Sequence, residues 1–169
     1  MAKKILVIDD SALMRRVISD IINESDEYEV AAIAKDGLEG LDMIVSHPYE
    51  YSAIILDINM PKLNGIELLK RLQKDHIEQT VIIVSTVAKE GAKETIQALE
   101  YGAFDFVTKP ENYLETKSVD FKNKIFNMLN VATNTRTSIR RTSMRTGATG
   151  TIRSTETAAK RTTDGGSSL

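Results

Sequence analysis

Short apolar runs alternate with segments of helical spacing from residue 3 to residue 132, and no other feature of the sequence constrains the fold as strongly. Five strands that alternate with five helices predict a parallel sheet with helices on both faces and right-handed crossovers. The sequence therefore predicts a doubly wound α/β domain. The runs have strand length, and most are rich in β-branched residues. They span residues 5–8, 30–34, 53–56, 81–84 and 104–107.

Apolar residues at three- and four-residue spacing mark the helices between and after these runs. Each set is expected to face the sheet, because a helix on a sheet buries one stripe of its surface. The sets are Met14, Val17, Ile18 and Ile21; Leu38, Leu41 and Val45; Ile66, Leu69 and Leu72; Ile96 and Leu99; and Phe121, Ile125, Met128, Leu129 and Ala132.

The charge distribution divides the chain into residues 1–133 and residues 134–169. The second segment carries seven basic and two acidic side chains, whereas the first carries 15 basic and 22 acidic ones. Residues 134–169 are rich in Thr, Ser, Arg and Gly, and their few apolar residues keep no period, so they cannot bury enough surface to order themselves. We expect a flexible linker or tail there, or alternatively a basic arm for an acidic partner.

The composition also limits the compartment and the class of protein. The chain has no cysteine, which excludes disulfides and thiolate metal sites and fits a reducing compartment. The apolar run at 5–8 is too short for a signal-peptide core, and no stretch approaches a membrane span. No glycine-rich loop follows any strand, as a nucleotide-binding protein would need. We expect a cytoplasmic protein without membrane insertion and without a nucleic-acid partner.

Polar side chains follow four of the predicted strands, at the edge where open parallel sheets bind ligands. Each has an ordinary explanation by itself, since such residues also cap helices, begin turns or lie in solvent. Together they need another explanation, because three carboxylates at one edge repel each other unless a cation joins them. They are Asp9 and Asp10 after the first strand, Asp57 after the third, Ser85 and Thr86 at the end of the fourth, and Lys109 after the fifth.

The chemistry of these side chains suits phosphoryl transfer. Aspartate oxygens with no histidine or cysteine nearby favour Mg²⁺, with Asp10 and Asp57 as direct ligands and Asp9 acting through water. Asp57, at the centre of the edge, is also a candidate nucleophile that would form an aspartyl phosphate. Mg²⁺ and the Lys109 ammonium would neutralise the transferring oxygens, and the Ser85 hydroxyl would donate to the product phosphate.

The combination of these motifs resembles the receiver domain of bacterial two-component response regulators over residues 3–132. The resemblance implies a flavodoxin-like sheet of order 2-1-3-4-5. It further implies that the chain is no enzyme apart from its own phosphorylation. The motifs are Asp9-Asp10, Leu56-Asp57-Ile58-Asn59-Met60-Pro61 with Gly65 after it, the hydroxyl of Ser85, and Lys109-Pro110.

The resemblance implies a role for each residue around the phosphate. Asp57 would take the phosphoryl group from the phosphohistidine of a sensor histidine kinase. Mg²⁺ would be held by Asp10, Asp57 and the backbone carbonyl of Asn59. Asn59 and Val87 match positions that influence hydrolysis of the phosphate. Since Val87 is apolar and cannot hold the attacking water, the phosphate should be lost more slowly than in Val87→Glu.

The resemblance also implies a switch that follows phosphorylation. The hydroxyl of Ser85, with the neighbouring Thr86, would move towards the phosphate. Phe106 matches an aromatic position that rotates with this movement, although a plain core phenylalanine is the alternative. Helix 4, strand 5 and helix 5 would form the output face. A cis peptide between Lys109 and Pro110 is a further implication.

One branch of the family matches best. Residues 85–110 are similar to the receiver half of chemotaxis protein-glutamate methylesterases, and a linker after helix 5 fits their layout. Their catalytic half uses serine, histidine and aspartate, whereas the two histidines here, His47 and His76, lie within the receiver region. The chain as given is therefore predicted to have no esterase activity.

Three interpretations stay open. The first is a signalling switch whose output domain or chemotaxis receptor-associated partner lies elsewhere. The second is the regulatory half of a methylesterase whose catalytic domain is absent here. The third is a Mg²⁺-dependent phosphatase that uses an aspartyl phosphate. Such a phosphatase would usually have a second acid two residues beyond the nucleophile, where this chain has Asn59.

Overall fold

The predicted alternation of strands and helices is present in a computed structural model, which describes residues 2–86 and 91–146, with residues 91–92 and 135–146 described by their backbone alone. The strands are β1 (Lys3–Ile8), β2 (Tyr28–Ala34), β3 (Ala53–Leu56), β4 (Val81–Ser85) and β5 (Asp105–Thr108). The helices are α1 (Ala12–Asn23), α2 (Gly37–Ser46), α3 (Gly65–Lys74), α4 (Gly91–Glu100) and α5 (Val119–Thr146). A 3₁₀ helix at Tyr113–Lys117 was not predicted.

The strands form one parallel sheet in the order β2-β1-β3-β4-β5, which confirms the predicted fold. The register aligns the carboxyl ends of the central strands. Ile8 pairs with Leu56, and Ser85 pairs with Thr108. Consequently the residues that follow β1, β3 and β5 lie along one edge of the sheet, as the sequence predicts.

The core has two layers, one on each face of the sheet. Successive side chains of a strand point to opposite faces, so Leu6 and Ile8 pack with α2 and α3, whereas Ile5 and Val7 pack with α1 and α5. Every residue of β3 is buried, because a central strand of a doubly covered sheet has no solvent face. The strand that precedes Asp57 is therefore covered by helices on both faces.

The predicted core faces of α1, α3 and α5 are confirmed, whereas that of α2 is confirmed at Leu41 and wrong at Leu38 and Val45. Leu41 and Ile44 face the core, whereas Leu38 and Val45 are about half exposed. The helix approaches the sheet through Gly40, where an added Cβ would lie 2.5 Å from the Cδ1 atom of Ile8. Because glycine has no apolar side chain, a contact of this kind does not appear in the spacing of hydrophobic residues along the sequence.

The predicted core face of α4 is also wrong, although the helix exists. Thr95 and Ala98 are the buried positions, whereas Ile96 is 59% exposed and Leu99 is 38% exposed. Small residues lie against the sheet and large apolar ones face outwards. The apolar residues that the sequence predicts to face the core, Ile96 and Leu99, therefore lie on the outer side of this helix.

The last helix extends beyond the predicted domain boundary at 133/134. The compact unit that contains the sheet ends at Asn134, and α5 continues to Thr146. No glycine or proline, the strongest helix breakers, occurs between Pro110 and Gly147. The linker or tail at 134–169 stays a prediction, because residues 147–169 lie outside the described part of the chain.

Among the described residues, no helix is long and apolar enough to cross a bilayer.

Candidate functional site

A buried lysine joins two buried aspartates at the carboxyl edge of the sheet. Asp9, Asp57 and Lys109 are 1%, 6% and 8% exposed. The Nζ atom of Lys109 lies 2.7 Å from Oδ2 of Asp9 and 3.4 Å from Oδ2 of Asp57. Because one ammonium faces two carboxylates, the buried part of the site keeps a net negative charge.

Backbone N–H groups fix the second oxygen of each buried carboxylate. Oδ1 of Asp57 accepts a hydrogen bond from the N–H of Ile58 at 2.8 Å. Oδ1 of Asp9 accepts one from the N–H of Ser11 at 2.9 Å. The side chain of Arg15 donates to the carbonyl of Asp9 at 2.8 Å. Arg15 was not predicted from the sequence, since an arginine on a helix gives no signal of such a contact.

Burial raises the pKa of the Asp57 carboxyl to about 6. The Lys109 ammonium acts in the opposite direction, while the charge of Asp9 raises the pKa further, and hydrogen bonds from Ser85 and the Ile58 backbone lower it. Burial prevails because a single shared ammonium compensates the carboxylate only in part. An additional cation at this position would favour the ionised form.

Three carboxylates at this edge fit the predicted metal ion. One oxygen from each of Asp9, Asp10 and Asp57 lies within 4.8 Å of the others. Asp10 is exposed whereas the other two are buried, so the group opens towards solvent on the side of Asp10. An all-oxygen donor set that is accessible to water suits Mg²⁺, which keeps part of its hydration shell in proteins.

The loop after β3, residues 58–64, begins at the site and ends at α3. The N–H of Gly65 donates to the carbonyl of Ile58 at 2.8 Å. A Cβ on Gly65 would lie 2.5 Å from the carbonyl oxygen of Asp57. The glycine therefore allows the loop to turn tightly against the site. Asn59, the predicted third ligand through its carbonyl, lies in this loop and is exposed.

The predicted switch residues lie at different depths. Ser85 is buried at the end of β4 and hydrogen-bonds to Asp57, whereas Thr86 is exposed. Phe106 is 38% exposed and follows the alternation of β5, in which Val107 is buried. A plain core role for Phe106 is therefore wrong. Val87 lies outside the described residues, and its effect on the phosphate stays a prediction.

The expected cis peptide between Lys109 and Pro110 is wrong for this structure. No peptide bond among the described residues is cis, so this bond is trans. Trans is the lower-energy isomer of a bond that precedes proline, by about 0.5–1 kcal/mol. The N–H of Lys109 still donates to the carbonyl of Ser85 at 2.9 Å, which extends the β4–β5 ladder to the site.

The sequence of this chain is similar to a known domain family and to longer proteins that contain such a domain. The model of the response regulator receiver domain family matches residues 5–118. A protein-glutamate methylesterase/protein-glutamine glutaminase of Pyrococcus horikoshii is 41% identical over 122 residues, which are 72% of this chain and 32% of that protein. The chain thus spans about a third of the length of this curated relative.

Two solved structures are also similar to this chain. The response regulator domain of Thermotoga maritima CheB matches with a TM-score of 0.70 and 39% identity over 79% of this chain and 98% of that one. A chain from the complex of the CheA3 P1 domain with CheY6 of R. sphaeroides matches with a TM-score of 0.61 and 29% identity, covering 77% of this chain and 95% of that one.

Proposed function

The chain belongs to the response regulator receiver family, and from this premise we propose that Asp57 accepts a phosphoryl group from a sensor histidine kinase, with Mg²⁺ as cofactor. The observation that carries the proposal is the buried group of Asp9, Asp57 and Lys109 at the carboxyl edge of the sheet. Burying charges in this way is costly, so the arrangement needs a functional reason.

The proposed transfer requires the ionised form of Asp57. One of its carboxylate oxygens attacks phosphorus, the P–O bond forms as the P–N bond to the kinase histidine breaks, and the histidine keeps the bonding electrons and takes a proton from solvent. Because the pKa of Asp57 is about 6, the nucleophilic form prevails at neutral pH.

The surrounding residues neutralise and hold the transferred group. Lys109 would shift from the carboxylate of Asp57 to a phosphoryl oxygen, and the Ser85 hydroxyl would donate to another. Asp10, Asp57 and the Asn59 carbonyl would hold Mg²⁺, with Asp9 acting through water. When bound, Mg²⁺ supplies positive charge to the phosphoryl oxygens.

An exposed apolar surface supports the proposed output face. Ile96 and Leu99 on α4 and Phe106 on β5 are 59%, 38% and 38% exposed. Large apolar side chains left exposed in this way are available for contact with another protein. Phosphorylation would act on this face through Ser85 and Thr86 at the end of β4, which is paired with β5.

We further propose that the chain is the regulatory half of a chemotaxis methylesterase in the cytoplasm. Its likeness to the P. horikoshii protein and to the T. maritima CheB receiver supports this branch. Phosphorylation of Asp57 would then control a methylesterase domain, with a chemotaxis kinase and receptor-associated proteins as partners.

The intact mass of the protein from its own cells tests this proposal. A mass well above 18.8 kDa supports the methylesterase layout, and a mass of 18.8 kDa contradicts it.

Phosphoryl uptake tests the role of Asp57. The protein is incubated with acetyl phosphate and Mg²⁺, and its intact mass is measured with time. We expect one phosphoryl group on the parent chain and on Asp42→Asn, which changes an exposed aspartate of α2, and none on Asp57→Asn. Equal uptake by Asp57→Asn would overturn the assignment. Turnover of external phosphomonoesters without accumulation would favour the phosphatase.

A further inference from the structure

Two backbone segments that are distant in sequence meet beside the site. Asp36 and Gly37, which we call the α2 corner, join β2 to α2 and pack against the loop 58–64, which we call the site loop. A Cβ on Gly37 would lie 1.8 Å from the carbonyl oxygen of Leu63 and 2.8 Å from its Cβ. Real side chains do not approach a backbone this closely, so only glycine fits between α2 and the site loop.

Asp36 holds the α2 corner in place. Asp36 is buried, with a side chain that is 6% exposed, and its Oδ1 accepts a hydrogen bond from the N–H of Glu39 at 2.9 Å, in the first turn of α2. Oδ2 lies 3.8 Å from Nζ of Lys62 in the site loop. Because Lys62 is 62% exposed, this ion pair contributes little by itself. The helix cap and the close contact at Gly37 are therefore the main constraints.

The site loop has an unusual backbone where it meets the corner. Lys62 has a φ of 69°, in the left-handed region that non-glycine residues rarely adopt. The N–H of Leu63 donates to the carbonyl of Pro61 at 2.7 Å, which closes a tight turn. Surrounding contacts must hold such a conformation, since it costs free energy by itself.

Contacts of Gly65 join the end of the site loop to its beginning. Gly65 lies against the carbonyl of Asp57, and its N–H donates to the carbonyl of Ile58. The two ends of the site loop are thus joined by the contacts of Gly65, and the α2 corner confines the loop at Leu63. Because the loop is short and closed, we expect a shift of the Leu63 backbone to change the position of Asn59, four residues earlier.

We propose that the α2 corner positions the site loop so that the backbone carbonyl of Asn59 is presented to Mg²⁺. Asp36 and Gly37 are positioning residues and not ligands. The inference rests on the proposed function, since it concerns the same metal site. It adds a determinant of metal affinity at the start of α2, a helix that contributes none of the proposed ligands.

Mg²⁺ binding by metal-free protein tests the proposal. Isothermal titration calorimetry is performed at a temperature where circular dichroism shows each variant to be folded. We expect Gly37→Ala to weaken Mg²⁺ binding about tenfold, in the range found for residues that orient metal ligands. Asp36→Ala, which removes the helix cap, should weaken it about threefold, and Asp36→Asn, which keeps the cap, by less than about twofold.

Gly102→Ala is the matched control. Gly102 has a φ of 102° and lies before β5, at the opposite edge of the sheet, with nothing within 4 Å of an added Cβ. The substitution strains the backbone and lowers stability without touching the site loop. It should leave Mg²⁺ affinity unchanged while lowering the melting temperature.

The outcomes separate this inference from the function on which it rests. Weaker binding by folded Gly37→Ala and Asp36→Ala, with Asp36→Asn and Gly102→Ala close to the parent, supports it. A parent that binds Mg²⁺ with the same affinity as folded Gly37→Ala overturns the inference alone. A parent that binds no Mg²⁺ at millimolar concentration overturns the proposed metal site and the inference together.

Discussion

Two regions of the molecule depart from the usual distribution of polar and apolar groups in opposite ways. At the carboxyl edge of the sheet, two carboxylates and an ammonium are buried. On α4 and β5, large apolar side chains are exposed. Burial of charge is costly without compensation, and exposed apolar surface is costly without a partner. Both departures fit the proposed function, in which the first region would bind a cation and a phosphoryl group and the second would bind a protein.

The two regions are connected through the β4–β5 pair. Ser85 lies beside Asp57 and pairs with Thr108, while Ile83 pairs with Phe106 of the exposed surface. In the proposed switch, a change of hydrogen bonding at Ser85 would reach Phe106 through this one strand pair. A phosphate can shift this pair only if it binds the two arrangements with different affinities.

The largest effect is expected from removing the shared cation. Lys109→Met leaves two buried carboxylates without their ammonium, and removing one partner from a buried ion pair typically costs about 3–5 kcal/mol. We expect a loss of this order in the free energy of unfolding of the metal-free protein, measured by urea denaturation. Mg²⁺ should restore part of the loss because it supplies positive charge to the same carboxylates.

An exposed pair provides the control for that substitution. Nζ of Lys124 lies 3.3 Å from Oδ2 of Asp120 on α5, and these side chains are 57% and 80% exposed. Lys124→Met should change the free energy of unfolding by less than about 1 kcal/mol, because solvent screens such pairs. Equal losses in the two variants would show that burial at the sheet edge has no special cost.

A smaller effect of opposite sign is expected from Asp57→Asn. The raised pKa of Asp57 means that the folded state disfavours its ionised form, so its contribution to stability is greatest below pH 4 and declines as pH rises through about 6. Asparagine carries no charge at any pH. Without metal, Asp57→Asn should be more stable than the parent by up to about 3 kcal/mol at pH 8, since the rise from 3.8 to about 6 corresponds to about 1.4 kcal/mol per pKa unit.

The pH dependence identifies the cause of that gain. The difference between Asp57→Asn and the parent should shrink towards zero as pH falls from 6 to 4, where the parent carboxyl becomes protonated. Urea denaturation in the presence of a chelator measures it at each pH. A gain that persists unchanged at pH 4 would contradict the electrostatic cause, and no gain at pH 8 would contradict the raised pKa.

The sequence predicts the site better than it predicts the surfaces. Strand ends are recognisable because Asp9, Asp57 and Lys109 interrupt apolar runs, and a parallel sheet aligns those ends at one edge. The core face of α2 was wrong at Leu38 and Val45 because the helix contacts the sheet through Gly40, and glycine gives no hydrophobic signal. The contact between Gly37 and Leu63 joins segments distant in sequence, so it becomes visible only after folding.

The smallest effect is expected on the exposed apolar face, where a matched pair of isoleucines sharpens the comparison. Ile96 is 59% exposed and Ile83, on β4, is 1% exposed. Ile96→Thr should change the free energy of unfolding by less than about 0.5 kcal/mol, as surface substitutions usually do. Ile83→Thr should cost about 2 kcal/mol or more, because it places a hydroxyl in the core. If urea denaturation gave Ile96→Thr a loss as large as that of Ile83→Thr, Ile96 would be covered within this chain and would not be available to a partner.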